Sequence, residues 1–287
     1  MFESIKLGRW LGIDLFVHPT FWLLPLFVLV SEAGASTGAL AFELLFLFAV
    51  FGCVALHEFG HAFAAAANGI RTRHITLYPM GGVAALEGMP RKPVQEIAVA
   101  LAGPAVNILI AAGLFAVLLG GDIALSLATL STPDTVDAFL GQLLFANLFL
   151  AVFNLLPAFP MDGGRVLRAV LATRMSRLRA TEIAVTVGTV LAGLLLVGGL
   201  WLGRLGLILI AVVVWMLGRS ELAALRAEAE RRAFERRNRT RSDTPTEEPT
   251  ATAADLAARR FTGLVWDDAH RVWVRWVNGV PVAVLRV

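Results

Sequence analysis

Charged side chains are scarce in this sequence. Asp, Glu, Lys and Arg make up 16% of the 287 residues, whereas hydrophobic residues make up 57%. So few polar side chains cannot cover a water-soluble globule of this size. Several apolar runs approach or exceed the roughly 20 residues that a helix needs to cross a hydrocarbon core about 30 Å thick. The composition therefore predicts a protein that lies in a lipid bilayer.

Cysteine and lysine are also nearly absent. The single Cys53 excludes an intramolecular disulfide and a metal cluster built on cysteine, and we expect it to be a small buried filler. The net charge of +3 comes mostly from Arg, because the only lysines are Lys6 and Lys92. This small excess indicates no nucleic-acid partner. Arg in place of Lys, together with abundant Ala, favours a prokaryotic source.

The apolar runs predict an all-α polytopic membrane protein with about six transmembrane helices, at residues 15–31, 39–68, 95–119, 139–156 with a continuation past 161, 181–201 and 204–218. Basic residues collect on one side of these spans, at Lys6 and Arg9, from Arg71 to Lys92, from Arg165 to Arg179, and from Arg219 onward. The opposite loops contain only Arg204 as a basic residue. By the positive-inside rule, both termini lie in the cytoplasm. We expect a multi-pass protein of a prokaryotic plasma membrane.

The loop from Arg71 to Lys92 is predicted to form a β-hairpin at the cytoplasmic membrane boundary. Its segment His74 to Leu86 combines β-forming residues with a turn signal at Pro79 to Gly82. An exposed edge of this hairpin would be able to pair with an extended peptide. A simple connector is the alternative.

The C-terminal part of the chain changes in composition. After a six-span domain at residues 1–218, residues 219–239 form a basic charged helix, which either rests on anionic headgroups or is solvated. Residues 240–254, rich in Thr, Pro, Glu and Ala, are expected to be a flexible linker. Residues 255–287 alternate in hydrophobicity, with turn signals at Asp267-Asp268 and Asn278-Gly279, and predict a small β-hairpin-like module.

The second apolar run contains His57-Glu58-Phe59-Gly60-His61. Four-residue spacing on a helix places both imidazoles on one face, one turn apart, where they can bind a single Zn²⁺. Glu58 is placed to accept a proton from a water on that metal. Three ionisable groups within five residues of a membrane helix cost about 2.5–3.5 kcal/mol each, which favours a functional site over a packed polar cluster.

Two histidines leave a catalytic zinc one protein ligand short. Asp162 is the candidate, because it lies where Pro157, Pro160, Gly163 and Gly164 interrupt a strongly apolar run. Irregular backbone at membrane depth is tolerated where it faces protein or a cavity. The alternative is that Asp162 only caps the next helix.

These motifs together resemble the site-2 proteases, a family of intramembrane zinc metalloproteases. HEFGH matches the family's HExxH, and the family's Asn-x-x-Pro-x-x-Pro-x-Asp-Gly element is matched by Asn154, Pro157, Pro160, Asp162 and Gly163. Further segments resemble the bacterial and archaeal branch, namely Gly8-Arg9, His18-Pro19-Thr20, Ile75 to Val83, and Ala102 to Asn107. The resemblance covers about residues 5–175. The residues after Arg219 are too few for the pair of CBS domains that many relatives carry.

The resemblance implies one Zn²⁺ per chain, held by His57, His61 and Asp162, with Glu58 as the catalytic acid and base. It also implies hydrolysis of single-span membrane protein substrates within the bilayer, in regulated intramembrane proteolysis. Asn154 and Asn107 are candidates for holding the substrate carbonyl or the oxyanion, and interhelical hydrogen bonding is the alternative for both. A regulatory membrane partner is a further candidate, and the oligomeric state is left open.

Two other functions use similar residues. A metal transporter would carry several ligand stations along the membrane, but the sequence has one cluster and no second His-rich stretch. A silent scaffold would be free to lose Glu58 or a ligand, yet all four residues are present. The sequence therefore favours the protease.

Overall fold

The computed structural model describes residues 4–88, 90, 92–121, 135–242 and 261–285. Its helices are a 3-10 turn at Pro19–Trp22 and α1 Leu23–Ser31, α2 Thr37–Ala67, α3 Pro93–Gly120, α4 Val136–Asn154, α5 Asp162–Leu171, α6 Arg177–Trp201 and α7 Leu205–Ser242. Its strands are β1 Ile5–Trp10, β2 Ile13–Val17, β3 Thr72–Tyr78, β4 Gly81–Leu86, β5 Gly263–Asp267, β6 Val272–Val277 and β7 Val280–Leu285. The chain divides into two compact units, Met1–Ala227 and Glu228–Val287.

Five of the described helices are long and apolar enough to cross a membrane, namely α2, α3, α4, α6 and the Leu205–Arg231 part of α7. Large apolar side chains point outward along them, whereas the polar side chains of Asn107, Asn147 and Thr181 are fully buried. A water-soluble fold has the opposite arrangement. Five of the six predicted membrane spans are thus present as helices of membrane-crossing length.

The first predicted span is shorter than expected. Residues 15–17 belong to strand β2, and the apolar helical segment is only Pro19–Ser31. At 1.5 Å per residue, 13 helical residues reach about 20 Å, less than the hydrocarbon core of about 30 Å. The difference arises because β2 pairs through its backbone with β1 and β3, and because His18, whose side chain accepts from the Thr20 N–H, begins the turn at Pro19.

The predicted hairpin of residues 71–92 is present as β3 and β4. It belongs to a four-stranded sheet of order β1-β2-β3-β4, in which β2 and β3 are parallel and the other pairs are antiparallel. The inner strands pack on α2 through a buried cluster formed by Leu15, Val17, Phe21, Phe59, Ala62, Ile75 and Leu77. Strand β4 is an outer strand of this sheet, so one of its edges is unpaired among the described residues.

In the second unit, β5, β6 and β7 form an antiparallel sheet, which confirms the predicted C-terminal β-like segment. The predicted turn signals lie between β5 and β6 and between β6 and β7. Trp266 and Trp273 face each other across the first pair. Residues 240–242 of the predicted linker continue α7, and residues 243–254 lie outside the described residues. Residues 255–260 of the predicted module also lie outside them.

Candidate metal centre

The two histidines of the HEFGH segment lie side by side on α2. His57 is 6% exposed and His61 is 5% exposed, and their Nε2 atoms are 3.1 Å apart. Gly103 of α3 lies directly against both rings, and any side chain there would collide with them. Helix α3 therefore packs directly against the imidazoles at Gly103.

Asp162 joins the histidines from a distant part of the sequence. It is the first residue of α5 and is buried, and its Oδ2 lies 3.2 Å from His57 Nε2 and 3.1 Å from His61 Nε2. The loop before it turns tightly, and Gly163 has no room for a side chain because the Leu155 and Leu156 carbonyls lie against it. The broken backbone predicted at Pro157 to Gly164 is thus what brings the carboxylate to the imidazoles.

The hydrogen-bond partners of the two Nδ1 atoms determine which ring nitrogens of His57 and His61 carry hydrogen. His57 Nδ1 faces Asn107 Oδ1 at 2.5 Å, and His61 Nδ1 faces the Val99 carbonyl at 2.7 Å. Both partners are acceptors, so each Nδ1 must carry a hydrogen and donate it. Each Nε2 then presents a lone pair toward Asp162 Oδ2, which is also an acceptor.

Three acceptors that converge in this way can hold a cation between them. The ligand atoms of His57, His61 and Asp162 all lie within 4.8 Å of one another, and this is the only such group of three or more metal-binding side chains among the described residues. Tetrahedral bonds of about 2.0–2.1 Å to zinc need ligand atoms about 3.3 Å apart. The separations of 3.1–3.2 Å between the three facing atoms fit such an ion.

A chain of buried amides supports His57. Asn107 is fully buried and donates from Nδ2 to Asn147 Oδ1 at 2.8 Å. Asn147 is also fully buried and donates to the Leu143 carbonyl and to Cys53 Sγ. These bonds set the direction of both amides, so the Asn107 oxygen faces His57.

The structure places the two asparagine candidates differently. Both ends of the Asn107 amide are bonded inside the protein, which favours the hydrogen-bonding alternative over contact with substrate. Asn154 is the last residue of α4 and is partly exposed, and its Nδ2 donates to the Leu150 carbonyl of the same helix. Its Oδ1 has no bond to this site in the structure.

Glu58 lies next to the cluster on α2 and is half-buried. Gly82 of β4 lies against its side chain, and a Cβ at position 82 would overlap the Glu58 methylene and carboxylate. The sequence indicated Gly82 only as part of a turn. Local sequence does not predict that Gly82 lies beside Glu58, that Gly103 lies against the imidazoles, or that the Val99 carbonyl accepts from His61. Each of these contacts depends on packing between segments that are distant in the sequence.

Comparisons with known proteins agree with this geometry. A family model described as Peptidase family M50 matches residues 45–136 and 119–196, which is more than half of the chain. This chain belongs to peptidase family M50, the site-2 protease family. The M50 assignment agrees with the resemblance that the sequence motifs carry.

Individual M50 relatives match most of this chain. A zinc metalloprotease of Methanocaldococcus jannaschii is 34% identical over 225 residues, which cover 78% of this chain and 62% of that protein. A putative zinc metalloprotease of a Synechocystis species is 36% identical over 180 residues, which cover 59% of this chain and 45% of that protein. The chain thus spans about half of the length of the curated relatives it matches.

A solved structure supports the same M50 fold. The site-2 protease from Methanocaldococcus jannaschii matches with a TM-score of 0.58 and 32% identity, over 77% of this chain and 95% of that chain. With five apolar helices of membrane-crossing length, the chain is a multi-pass membrane protein.

Proposed function

We propose that this chain is a zinc metalloprotease that hydrolyses peptide bonds of single-span membrane proteins within the bilayer. The observation that carries the proposal is the convergence of the His57, His61 and Asp162 acceptors, with Glu58 beside them on the same helix. Membership of family M50 and the zinc metalloprotease relatives support the same chemistry. His57, His61 and Asp162 are the proposed ligands of one zinc ion per chain.

The proposed reaction divides between metal and protein. A zinc held by His57, His61 and Asp162 would lower the pKa of a bound water toward about 7 and polarise the peptide carbonyl. Glu58 is placed to accept a proton from the attacking water and to donate it later to the leaving amine nitrogen. Asn107 and the Val99 carbonyl keep the imidazoles in the tautomer that leaves Nε2 free for the metal.

We place the site inside the membrane, with the end of α2 at its boundary. His57 lies ten residues before the end of α2 at Ala67, which corresponds to about 15 Å along the helix. That depth is about half of a hydrocarbon core. Because basic residues follow α2 and surround α5, we place this end of the site on the cytoplasmic side of a prokaryotic plasma membrane.

Strand β4 supplies a place for the substrate backbone. It is an edge strand of the sheet, and its Gly82 lies against the Glu58 side chain. An unwound substrate segment that adds to this edge would run past the proposed base in the extended form that a protease needs. Asn154, at the end of α4, is the remaining candidate for a contact with the substrate carbonyl.

The products follow from this topology. Cleavage near the cytoplasmic side releases a soluble cytosolic fragment and leaves a stub in the membrane, which suits a role in regulated intramembrane proteolysis. The test uses a single-span substrate tagged at both ends and expressed with the wild-type chain or with Glu58→Gln. A cytosolic fragment that depends on Glu58 supports the proposal, and a soluble fragment only outside the cell would overturn the orientation and the signalling role.

The single ligand group argues against metal transport. A transport path needs successive sites across the membrane, and the described residues hold only one group of three or more metal-binding side chains. A base beside that group is what metal-assisted hydrolysis needs.

A further inference from the structure

A buried ion pair joins the helix that carries Asp162 to the helix that orients the imidazoles. Arg168 of α5 is 3% exposed and Glu96 of α3 is 7% exposed. Arg168 Nε donates to Glu96 Oε1 at 2.7 Å, and Arg168 Nη2 contacts the same oxygen. Because desolvation opposes the attraction between two buried charges, such a pair adds little net stability. What the pair does provide is a direct link between α3 and α5.

The α3 end of this pair is fixed to the metal centre. Glu96 is followed by Val99, Gly103 and Asn107 at spacings of three, four and four residues, so all four lie on one face of α3. The Val99 carbonyl accepts from His61, Gly103 lies against both imidazoles, and Asn107 accepts from His57. Glu96 therefore lies on the same face of α3 as the three residues that contact the two histidines, one turn before the first of them.

The α5 end is fixed to Asp162. Helix α5 has only ten residues, begins at Asp162 and carries Arg168 six residues later. The Arg168 guanidinium also lies 4.8 Å from the centre of the Phe159 ring, and Phe159 is in the loop that leads into Asp162. Arg168 thus contacts the loop that precedes Asp162 as well as helix α3.

We propose that Arg168, through its ion pair with Glu96, is a positioning residue that sets α5 against α3 and so holds Asp162 at bonding distance from a zinc on His57 and His61. This inference rests on the proposed function. The contacts of Arg168 are with Glu96, Glu221 and Phe159 and not with the three proposed ligands, so it acts through the placement of Asp162. The pair fixes two helices that are far apart in sequence and that each carry part of one metal site.

The test removes both charges and keeps the volume, in the double variant Glu96→Leu with Arg168→Met. This exchange leaves no unpaired charge at the pair, and Arg177 and Glu221, which each lose one contact, are more than one third exposed. The full-length chain in detergent is titrated with zinc against a chelator. We expect zinc to bind 10- to 100-fold more weakly, as when other groups that orient ligands are lost, with thermal unfolding close to that of the wild-type chain.

A spectroscopic readout separates positioning from general packing. In the chain loaded with Co²⁺, the visible absorption reports tetrahedral coordination, so displacement of Asp162 should change that spectrum. A structural role alone predicts an unchanged spectrum and a changed unfolding temperature. If the double variant fails to fold, the same measurements are made on Arg168→Lys. Lysine keeps the positive charge but lacks the planar guanidinium of arginine.

The matched control is Arg226→Ala. Arg226 forms an exposed ion pair with Glu182 at 2.8 Å, which joins α7 to α6 and does not involve α5. We expect this variant to bind zinc as the wild-type chain does. Wild-type zinc affinity and an unchanged Co²⁺ spectrum in the folded double variant, or in Arg168→Lys, would overturn the positioning role alone. A wild-type chain that binds no zinc would overturn this inference and the proposed function together.

Discussion

Asn107 accepts a hydrogen bond from His57 and donates one to Asn147, so a buried amide on α3 links the proposed zinc ligand of α2 to helix α4. The bond to Asn107 is what assigns the hydrogen of the His57 ring to Nδ1 and leaves Nε2 free. The orientation of a proposed metal ligand therefore depends on a residue that is not itself one of the proposed ligands.

Replacing Asn107 tests that dependence. Asn107→Leu removes the acceptor for His57 Nδ1, and we expect zinc to bind about 10- to 100-fold more weakly. Asn107→Asp keeps an oxygen toward His57 and should bind zinc more tightly than the leucine variant. The measurement is zinc competition with a chelator on purified protein. Equal affinity in the wild-type and folded leucine chains would remove Asn107 from the account.

Gly103 tests how closely α3 must approach the imidazoles. Gly103→Ala places a methyl group against both rings, so the histidines must move apart and zinc content per chain should fall well below that of the wild-type chain. Gly113→Ala, on the same helix with open space around it, is the control and should keep zinc and unfold at the same or a higher temperature. Full zinc content in the Gly103→Ala chain would mean that the rings can move without loss of the site.

Gly82 tests the contact between β4 and the proposed base. In Gly82→Ala the new methyl group overlaps the Glu58 side chain, and a displacement of about 1 Å can lower turnover about 10²-fold. Zinc content should remain that of the wild-type chain, because Glu58 is not a ligand. Gly88→Ala, which has open space, should cleave normally. Unchanged turnover in Gly82→Ala would separate Glu58 from this strand.

The edge of β4 is tested by proline. Along an edge strand, successive backbone N–H groups point alternately away from the sheet and toward the neighbouring strand. Val83 and Ala84 are consecutive, so one of the variants Val83→Pro and Ala84→Pro removes an N–H that points away from the sheet. The other variant removes an N–H that points toward β3. The variant that loses the outward donor should fold and bind zinc but cleave poorly, because the substrate strand loses a hydrogen bond. If both variants fold and turn over substrate normally, strand addition at β4 is the wrong account.

The sequence predicted those parts of the site that local spacing determines. The interval between His57 and His61 follows from the helical repeat, and the prolines and glycines around Asp162 mark a break that allows a carboxylate to enter the bundle. The Asn107 contact and the ion pair between Glu96 and Arg168 join segments 50 and 72 residues apart. Their geometry depends on how the helices pack, which one sequence does not contain.

The first span shows a second limit of sequence reasoning. The apolar run from Leu15 gives the same signal whether it forms a membrane helix or an inner strand. In the structure Leu15 and Val17 pair with Ile75 and Leu77 of β3. Hydrophobicity alone does not distinguish a buried strand from the start of a helix, and the partner strand lies about 60 residues away in the sequence.

The most direct test of the account measures zinc content and cleavage together in purified Glu58→Gln and Asp162→Ala chains, with the wild-type chain as reference. We predict one zinc ion per wild-type chain, zinc without cleavage in Glu58→Gln because an amide cannot accept the proton, and loss of both in Asp162→Ala. Full cleavage by Glu58→Gln, or undiminished zinc in Asp162→Ala, would contradict the proposed metal site and mechanism.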